Sequence, residues 1–316
     1  MKLIGYLILL VAGSFPALAA ENEQAISWLE RLSQALQQRN FSTSFVVVKN
    51  NQAEPYHWFH GVSNEGVELE ILALLNGPRR DKLRKGNIVS YIEPELPPYS
   101  VLSSQISGPI PAILSGDIHQ LKGHYDFISV GRSRVLGRPA QLVRIVPKDQ
   151  QTFGHWLWLD QESGLLLKLA IISRKGQLLE QVQFTHLDIT ESPSESLQQL
   201  QATELPKILD IPKSSQDEQF SWRVNWLPAG FERVKANRHR IPVTKQPVEF
   251  MLFNDGLVDV SVYVGASADK QRAVEYVMDG ATVILNQVVS GFEISVVGKI
   301  PSNTAKAIAD SIVFTN

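Results

Sequence analysis

The chain has 316 residues, 32 acidic against 30 basic, and no cysteine. This near-neutral balance excludes a global electrostatic pull toward nucleic acid, and the missing cysteine excludes disulfide staples and a lipid-bearing cysteine behind a leader. Roughly 300 residues after loss of a leader exceed what one hydrophobic core commonly serves, so two domains are expected.

Lys2 is followed by an apolar run over residues 3–11, a break at Pro16 and the small-x-small triplet Ala17-Leu18-Ala19. That pattern predicts a signal peptide over residues 1–19 with cleavage near Ala20. The run is too short for a bilayer of about 30 Å, which takes about 20 residues, and no later run is longer. The mature chain is expected to be soluble in a Gram-negative periplasm.

Positions 25, 28, 29, 32, 35 and 36 are apolar at helical spacing and predict an amphipathic helix. Strands are expected over 41–49, 56–62, 88–92 and 141–146, with the proline-rich stretch 94–111 as a long loop. A meander is expected over 153–159, 165–172 and 178–187. Its strands are apolar on both faces, with Trp156 and Trp158 opposite His155, Leu157 and Leu159. Both faces therefore need cover, from helices, a partner or an apolar ligand. Residues 191–220 turn to Ser, Gln, Glu and Pro, with a short amphipathic helix expected near 195–203. The domains are thus expected at 20–192 and 220–316, joined by a linker over 193–219. In the second, the aromatic cluster 220–231 anchors a small core and hairpins are expected over 248–264 and 282–297. A final helix after Pro301 carries Ala305, Ile308, Ala309 and Ile312 on one face. The class is α+β.

No H-E-x-x-H, C-x-x-C, G-x-S-x-G, phosphate-binding or dinucleotide glycine motif is present, so no catalytic residue, metal site or cofactor is expected. Residues 131–135 lack the second glycine of a nucleophile elbow and read as a turn. Ser267-Ala268-Asp269-Lys270 matches S-x-x-K without its companion motifs and has helix-cap composition. His57 and His60 are three apart on a strand and face opposite sides, while His119 and His124 have no nearby carboxylate cluster. Trp58, Tyr91, Trp156 and Trp158 are expected to line an apolar cavity that takes acyl chains. Arg80, Lys82 and Arg84 fall on one face of a strand, either gripping lipid phosphates or an acidic peptide, or guarding a solvated strand edge. Arg233, Lys235, Arg238 and Arg240 form a second basic cluster with the same two readings, here toward a partner.

Five stretches, Asn76-Gly77-Pro78-Arg79-Arg80, residues 125–132, Phe220-Ser221-Trp222, residues 226–231 and residues 297–301, resemble the RseB/MucB family of periplasmic sigma-E regulators nearly end to end. Leu157-Trp158-Leu159-Asp160 and Ser163-Gly164-Leu165 are similar to the lipoprotein carriers LolA and LolB. The resemblance implies an N-terminal curved antiparallel half-barrel closed by helices around a lipid cavity, beside a smaller C-terminal antiparallel α+β domain. It implies binding to the periplasmic domain of the anti-sigma factor RseA, protection of RseA from the protease DegS, and loosening of that complex by lipopolysaccharide or another acylated lipid or lipoprotein. A lipid or lipoprotein carrier is the alternative. No nucleic acid is expected as a partner, and a homo-oligomer stays open.

Overall fold

Apolar residues three and four apart give α1 (Phe15–Gln38), which buries Ala25, Ile26, Leu29, Leu32, Ala35 and Leu36. Each buried leucine contributes about 1.5–3 kcal/mol, so this stripe fixes the helix to the sheet beneath it. The computed structural model describes residues 15–209, 220–240, 247–267 and 273–315, with the side chains of 15–20, 239 and 240 excepted. The bulk of the expected leader, residues 1–14, lies outside them. No helix among the described residues is long and apolar enough to cross a membrane.

Eleven antiparallel strands form one sheet. They are β1 (Asn40–Lys49), β2 (Gln52–Val62), β3 (Glu68–Leu74), β4 (Asp81–Lys85), β5 (Ile88–Ile92), β6 (Tyr99–Leu102), β7 (Tyr125–Val135), β8 (Arg138–Pro147), β9 (Gly154–Asp160), β10 (Leu166–Ile172) and β11 (Leu178–Thr190). The order is β6-β5-β4-β3-β2-β1-β11-β10-β9-β8-β7. Every neighbouring pair is sequential except β1 with β11, which joins two meanders. The two edges, β6 and β7, are therefore consecutive in the chain, and residues 103–124 cross between them as a strap. The strap holds single 3₁₀ turns at Ala112–Ser115 and Ile118–Leu121 and buries Leu114, Ile118 and Leu121. Ser33 Oγ donates to the Gly116 carbonyl at 2.9 Å and Gln37 Nε2 to the Ser115 carbonyl at 2.6 Å, tying strap to α1. Together they close the inner face of the curved sheet.

Three expectations change. The stretch 94–111 contains β6, because Tyr99 stacks on Tyr91 at 5.3 Å and Ser100 pairs with Ser90. Residues 131–135 are not a turn but continue β7 past a bulge between Ser129 and Gly131. The short helix expected near 195–203 forms, but it is packed on the sheet instead of lying in a free linker. Leu197 and Leu200 of α2 (Glu195–Ala202) are buried with Leu69 on the outer face of the sheet. A Cβ on Gly61 would come within 2.9 Å of Leu197, so only glycine admits the helix this close. The chain then runs beside β6, with Ser100 N donating to the Lys207 carbonyl at 3.0 Å and Leu209 N to the Ser100 carbonyl at 2.8 Å.

The C-terminal part comprises β12 (Trp222–Val224), β13 (Glu232–Arg240), β14 (Pro247–Asn254), β15 (Asp259–Ala266), β16 (Glu275–Asp279), β17 (Thr282–Val289), β18 (Phe292–Gly298), α3 (Ser302–Asp310) and β19 (Ile312–Phe314). Six strands make an antiparallel sheet in the order β13-β14-β15-β18-β17-β16, and β12 pairs with β19. The expected helical stripe is buried at Ala305, Ile308, Ala309 and Ile312. The S-x-x-K stretch extends to residues 268–270, which lie outside the described residues. Buried side chains run without a break from α1 through both sheets to α3.

Candidate functional site

Cross-strand register places Thr43, Trp58, Leu72, Lys82, Tyr91 and Tyr99 in one row on the inner face, and Phe41, His60, Glu70, Arg84 and Val89 in the next. Trp58, Leu72, Glu68, Glu70 and Arg84 join Leu36, Phe45, Ile106 and Ile110 around a cavity of about 580 Å³ between sheet, α1 and strap. That volume and its mixed apolar and polar lining suit a small amphiphile. The Trp58 ring stands edge-on to Phe41 at 5.0 Å, which fixes one wall.

One wall is polar. Arg84 is buried and donates through Nε to Glu70 Oε2 at 2.7 Å, and through Nη1 to Glu68 Oε2 at 2.8 Å and the Ser104 carbonyl at 2.7 Å. His60 has 0% exposure and stacks on Phe41 at 5.2 Å. Its Nδ1 lies 2.7 Å from the Arg39 carbonyl and its Nε2 lies 3.9 Å from Glu68 Oε1. The His60 imidazole, with Arg84 acting in the same sense, holds the Glu68 carboxyl at about 2 against the opposing effect of burial.

A second, more polar cleft of about 790 Å³ adjoins the cavity, sharing Leu72, Gly108 and Pro109, and is lined further by Tyr56, Arg80, Lys82, Tyr91, Glu180 and Lys299. Lys82 Nζ donates to the Ser107 carbonyl and lies 5.7 Å from the centre of the Tyr91 ring. Burial lowers its pKa.

The expected site residues therefore separate. Trp58 lines the apolar cavity, and Tyr91 lines the polar cleft with Arg80 and Lys82. Trp156 and Trp158 do not belong to either: they lie on the outer face, because register sets Leu157 beside Leu169 and Val182 on the inner face. Arg144 covers Trp156 at 5.1 Å and Lys168 covers Trp158 at 4.7 Å. The cation side chains supply the cover that the second apolar face needs. Arg84 does share a face with Lys82, but its charge is spent on Glu68 and Glu70, and β4 is an interior strand rather than an edge.

The second basic cluster divides as well. A bulge between Arg233 and Lys235 puts Arg233 and Arg238 in register with Phe253 and Glu249, and Lys235 on the opposite face with Leu252. Arg238 pairs with Glu249 and lies 5.7 Å from the Phe220 ring. Arg240 ends β13, and its side chain is outside those described.

The two sheets meet through polar contacts that composition alone did not point to. Tyr125 OH donates to Asp255 Oδ2, while Asp255 Oδ1 accepts from Leu257 N at 2.9 Å and Val258 N at 2.7 Å. Lys49 pairs with Asp279 at 2.6 Å, Lys299 with Glu180 at 2.6 Å, and Thr304 with Gln151 at 3.0 Å. Gly230 of the Pro-Ala-Gly turn has φ of +87°, and a Cβ there would meet the His124 ring at 2.4 Å. Burial is the main cause raising both the Tyr125 and Asp255 pKa values.

The model of the MucB/RseB N-terminal domain matches residues 24–209, and that of the MucB/RseB C-terminal domain matches residues 216–313. The chain is 32% identical over 317 residues to the Sigma-E factor regulatory protein RseB of Escherichia coli K12, covering 99% of each. It is 33% identical over 315 residues to the Sigma factor AlgU regulatory protein MucB of Pseudomonas aeruginosa PAO1, covering 96% of each. The solved structure of MucB in complex with MucA(peri) superposes with a TM-score of 0.73 at 32% identity, over 92% of this chain and 99% of that one. A Pseudomonas aeruginosa MucA/MucB complex gives 0.75 at 31% identity, over 93% and 99%. Fold, both domain matches and the relatives agree: the chain belongs to the MucB/RseB family.

Proposed function

We propose that this protein is a periplasmic negative regulator of a sigma-E-type envelope stress response. It binds the periplasmic domain of an RseA-type anti-sigma factor, protects it from DegS, and acts by binding rather than catalysis. The observation that carries this reading is that MucB, similar over 99% of its chain, has been solved with MucA(peri). Residues 1–19 serve as the leader that delivers the chain to the periplasm. The basic cluster of Arg233, Lys235, Arg238 and Arg240 along β13 is where an acidic partner segment would dock, with Arg233 and Arg238 on one face of the strand. Lipid sensing belongs to the N-terminal sheet: Trp58 and the cavity take acyl chain, and Arg80, Lys82 and Tyr91 in the adjoining cleft take lipopolysaccharide phosphate. Lys299 reaches that cleft from the C-terminal part, so a ligand there touches both sheets and can bias their arrangement.

The test uses the mature full-length protein with an immobilised periplasmic fragment of the anti-sigma factor. Retention, release by added lipopolysaccharide, and slower DegS cleavage of the fragment are expected. No retention sinks the regulator. Retention that lipopolysaccharide leaves unchanged removes the sensing step. The cavity also supports a lipid or lipoprotein carrier, which would hand its lipid to an acceptor without retaining the fragment.

A further inference from the structure

We propose that the Glu68–Glu70–Arg84 wall makes the apolar cavity selective for acylated molecules whose head group donates hydrogen bonds beside the chain, such as amines, hydroxyls and amide N–H groups, over those with bare anionic heads. This rests on reading the cavity as a lipid site. Two carboxylates line it against one cation, Arg84, with no other Lys or Arg among the described lining residues. Arg84 is already committed to Glu70, Glu68 and the Ser104 carbonyl. An entering phosphate or carboxylate would face two fixed negative groups and a single cation whose charge they already balance.

The acceptors are not exhausted. A carboxylate offers about four lone-pair positions, and Glu68 and Glu70 each accept through Oε2 while Oε1 accepts no hydrogen bond among the described residues. His60 adds a second, independent sign. The Arg39 carbonyl can only accept, so Nδ1 carries a proton, and the fully buried Nε2 points toward Glu68 Oε1 without a partner within hydrogen-bonding distance. A buried polar atom left unsatisfied is costly, and a hydroxyl or amine seated between Nε2 and Glu68 Oε1 can bond to both. Glu68 is a third exposed on its side chain, so a head group can reach it from the cavity.

The experiment titrates the mature full-length protein by calorimetry with dodecylamine, dodecanol and dodecanoate, each below its aggregation concentration. Dodecylamine should bind about tenfold more tightly than dodecanoate, the size of one charge-assisted hydrogen bond, with dodecanol between them. Glu68→Gln should erase the preference for the amine while changing dodecanol affinity by less than about twofold. Trp58→Ala should weaken all three, which assigns the signal to this cavity. Dodecanoate binding as tightly as dodecylamine, or an amine preference that survives Glu68→Gln, overturns the inference while leaving the lipid cavity standing. If none of the three binds, the lipid reading falls and the selectivity with it. Should Glu68→Gln fail to fold, the order of the three probes on the unaltered protein decides.

Discussion

The Tyr125 hydroxyl donates to the Asp255 carboxylate across the boundary between the two sheets, and the same carboxylate caps the β14–β15 turn through Leu257 N and Val258 N. Tyr125→Phe leaves Asp255 buried with one donor fewer, so a loss of about 1–3 kcal/mol is expected. Asp255→Ala also leaves the Leu257 and Val258 N–H donors without their acceptor and should cost more. Urea unfolding of each variant measures this, and equal stability of Tyr125→Phe and the unaltered protein would remove the contact's structural role.

Stability should fall with acid through His155. Burial first, and then the Lys299 ammonium, push this imidazole from its usual value near 6.5 to about 4. Between those values the unfolded chain binds the proton and the folded chain does not, so stability drops as pH falls from about 6.5 to about 4, by roughly 3 kcal/mol in all. His155→Gln should flatten this part of the profile. Denaturation midpoints at pH 7, 5.5 and 4.5, compared between the two proteins, give the answer; parallel profiles would show that His155 is not the titrating group.

The basic row of Arg80, Lys82 and Arg84, of which β4 holds the last two, should respond unequally. Arg80→Gln is expected to change stability by within about 0.5 kcal/mol, as surface substitutions do. Arg84→Gln leaves the buried Glu70 and the partly exposed Glu68 without their shared cation and should cost about 3–5 kcal/mol. Lys82→Gln should spare the fold and lower affinity for a phosphorylated acyl lipid, with weaker salt dependence. Thermal melts and lipid titrations separate these outcomes, and an Arg84→Gln protein as stable as the parent would contradict the ion cluster.

Acyl binding should depend on Trp58 and not on Trp156 or Trp158. Trp58→Ala opens a gap in the cavity wall and should weaken lipid binding strongly. Trp156→Leu and Trp158→Leu, on the outer face under Arg144 and Lys168, should leave it unchanged. Titrating the three variants with one acyl lipid tests the assignment of faces.

Much of this was legible in the sequence where one element carries its own period. The α1 and α3 stripes, the β9–β11 meander and the Asn254-Asp255-Gly256 turn follow from spacing and turn chemistry alone. Strand alternation also showed that Trp156 and Trp158 share a face, but alternation does not say which face is inward. That depended on where α1 and the strap settle. The carboxylates of Glu68 and Glu70 were readable in principle, since Glu-Leu-Glu on a strand puts both on one side. Their partner Arg84 becomes visible only through the register of β3 with β4. The Tyr125–Asp255 contact joins residues 130 apart, and no local pattern encodes it.

Because the two edges of the large sheet are neighbours in sequence, residues 103–124 act as a belt around the trough, and their length limits its girth. An extended chain covers at most about 3.3–3.6 Å per residue, so the buckle can open only as far as this segment reaches. Closing a longer loop costs little more than closing a short one. Insertions in the belt could therefore enlarge the space for a bulkier guest, for instance one with more acyl chains, without altering a single strand. Capacity and architecture are separately adjustable in this protein, one set by a connection and the other by the sheet.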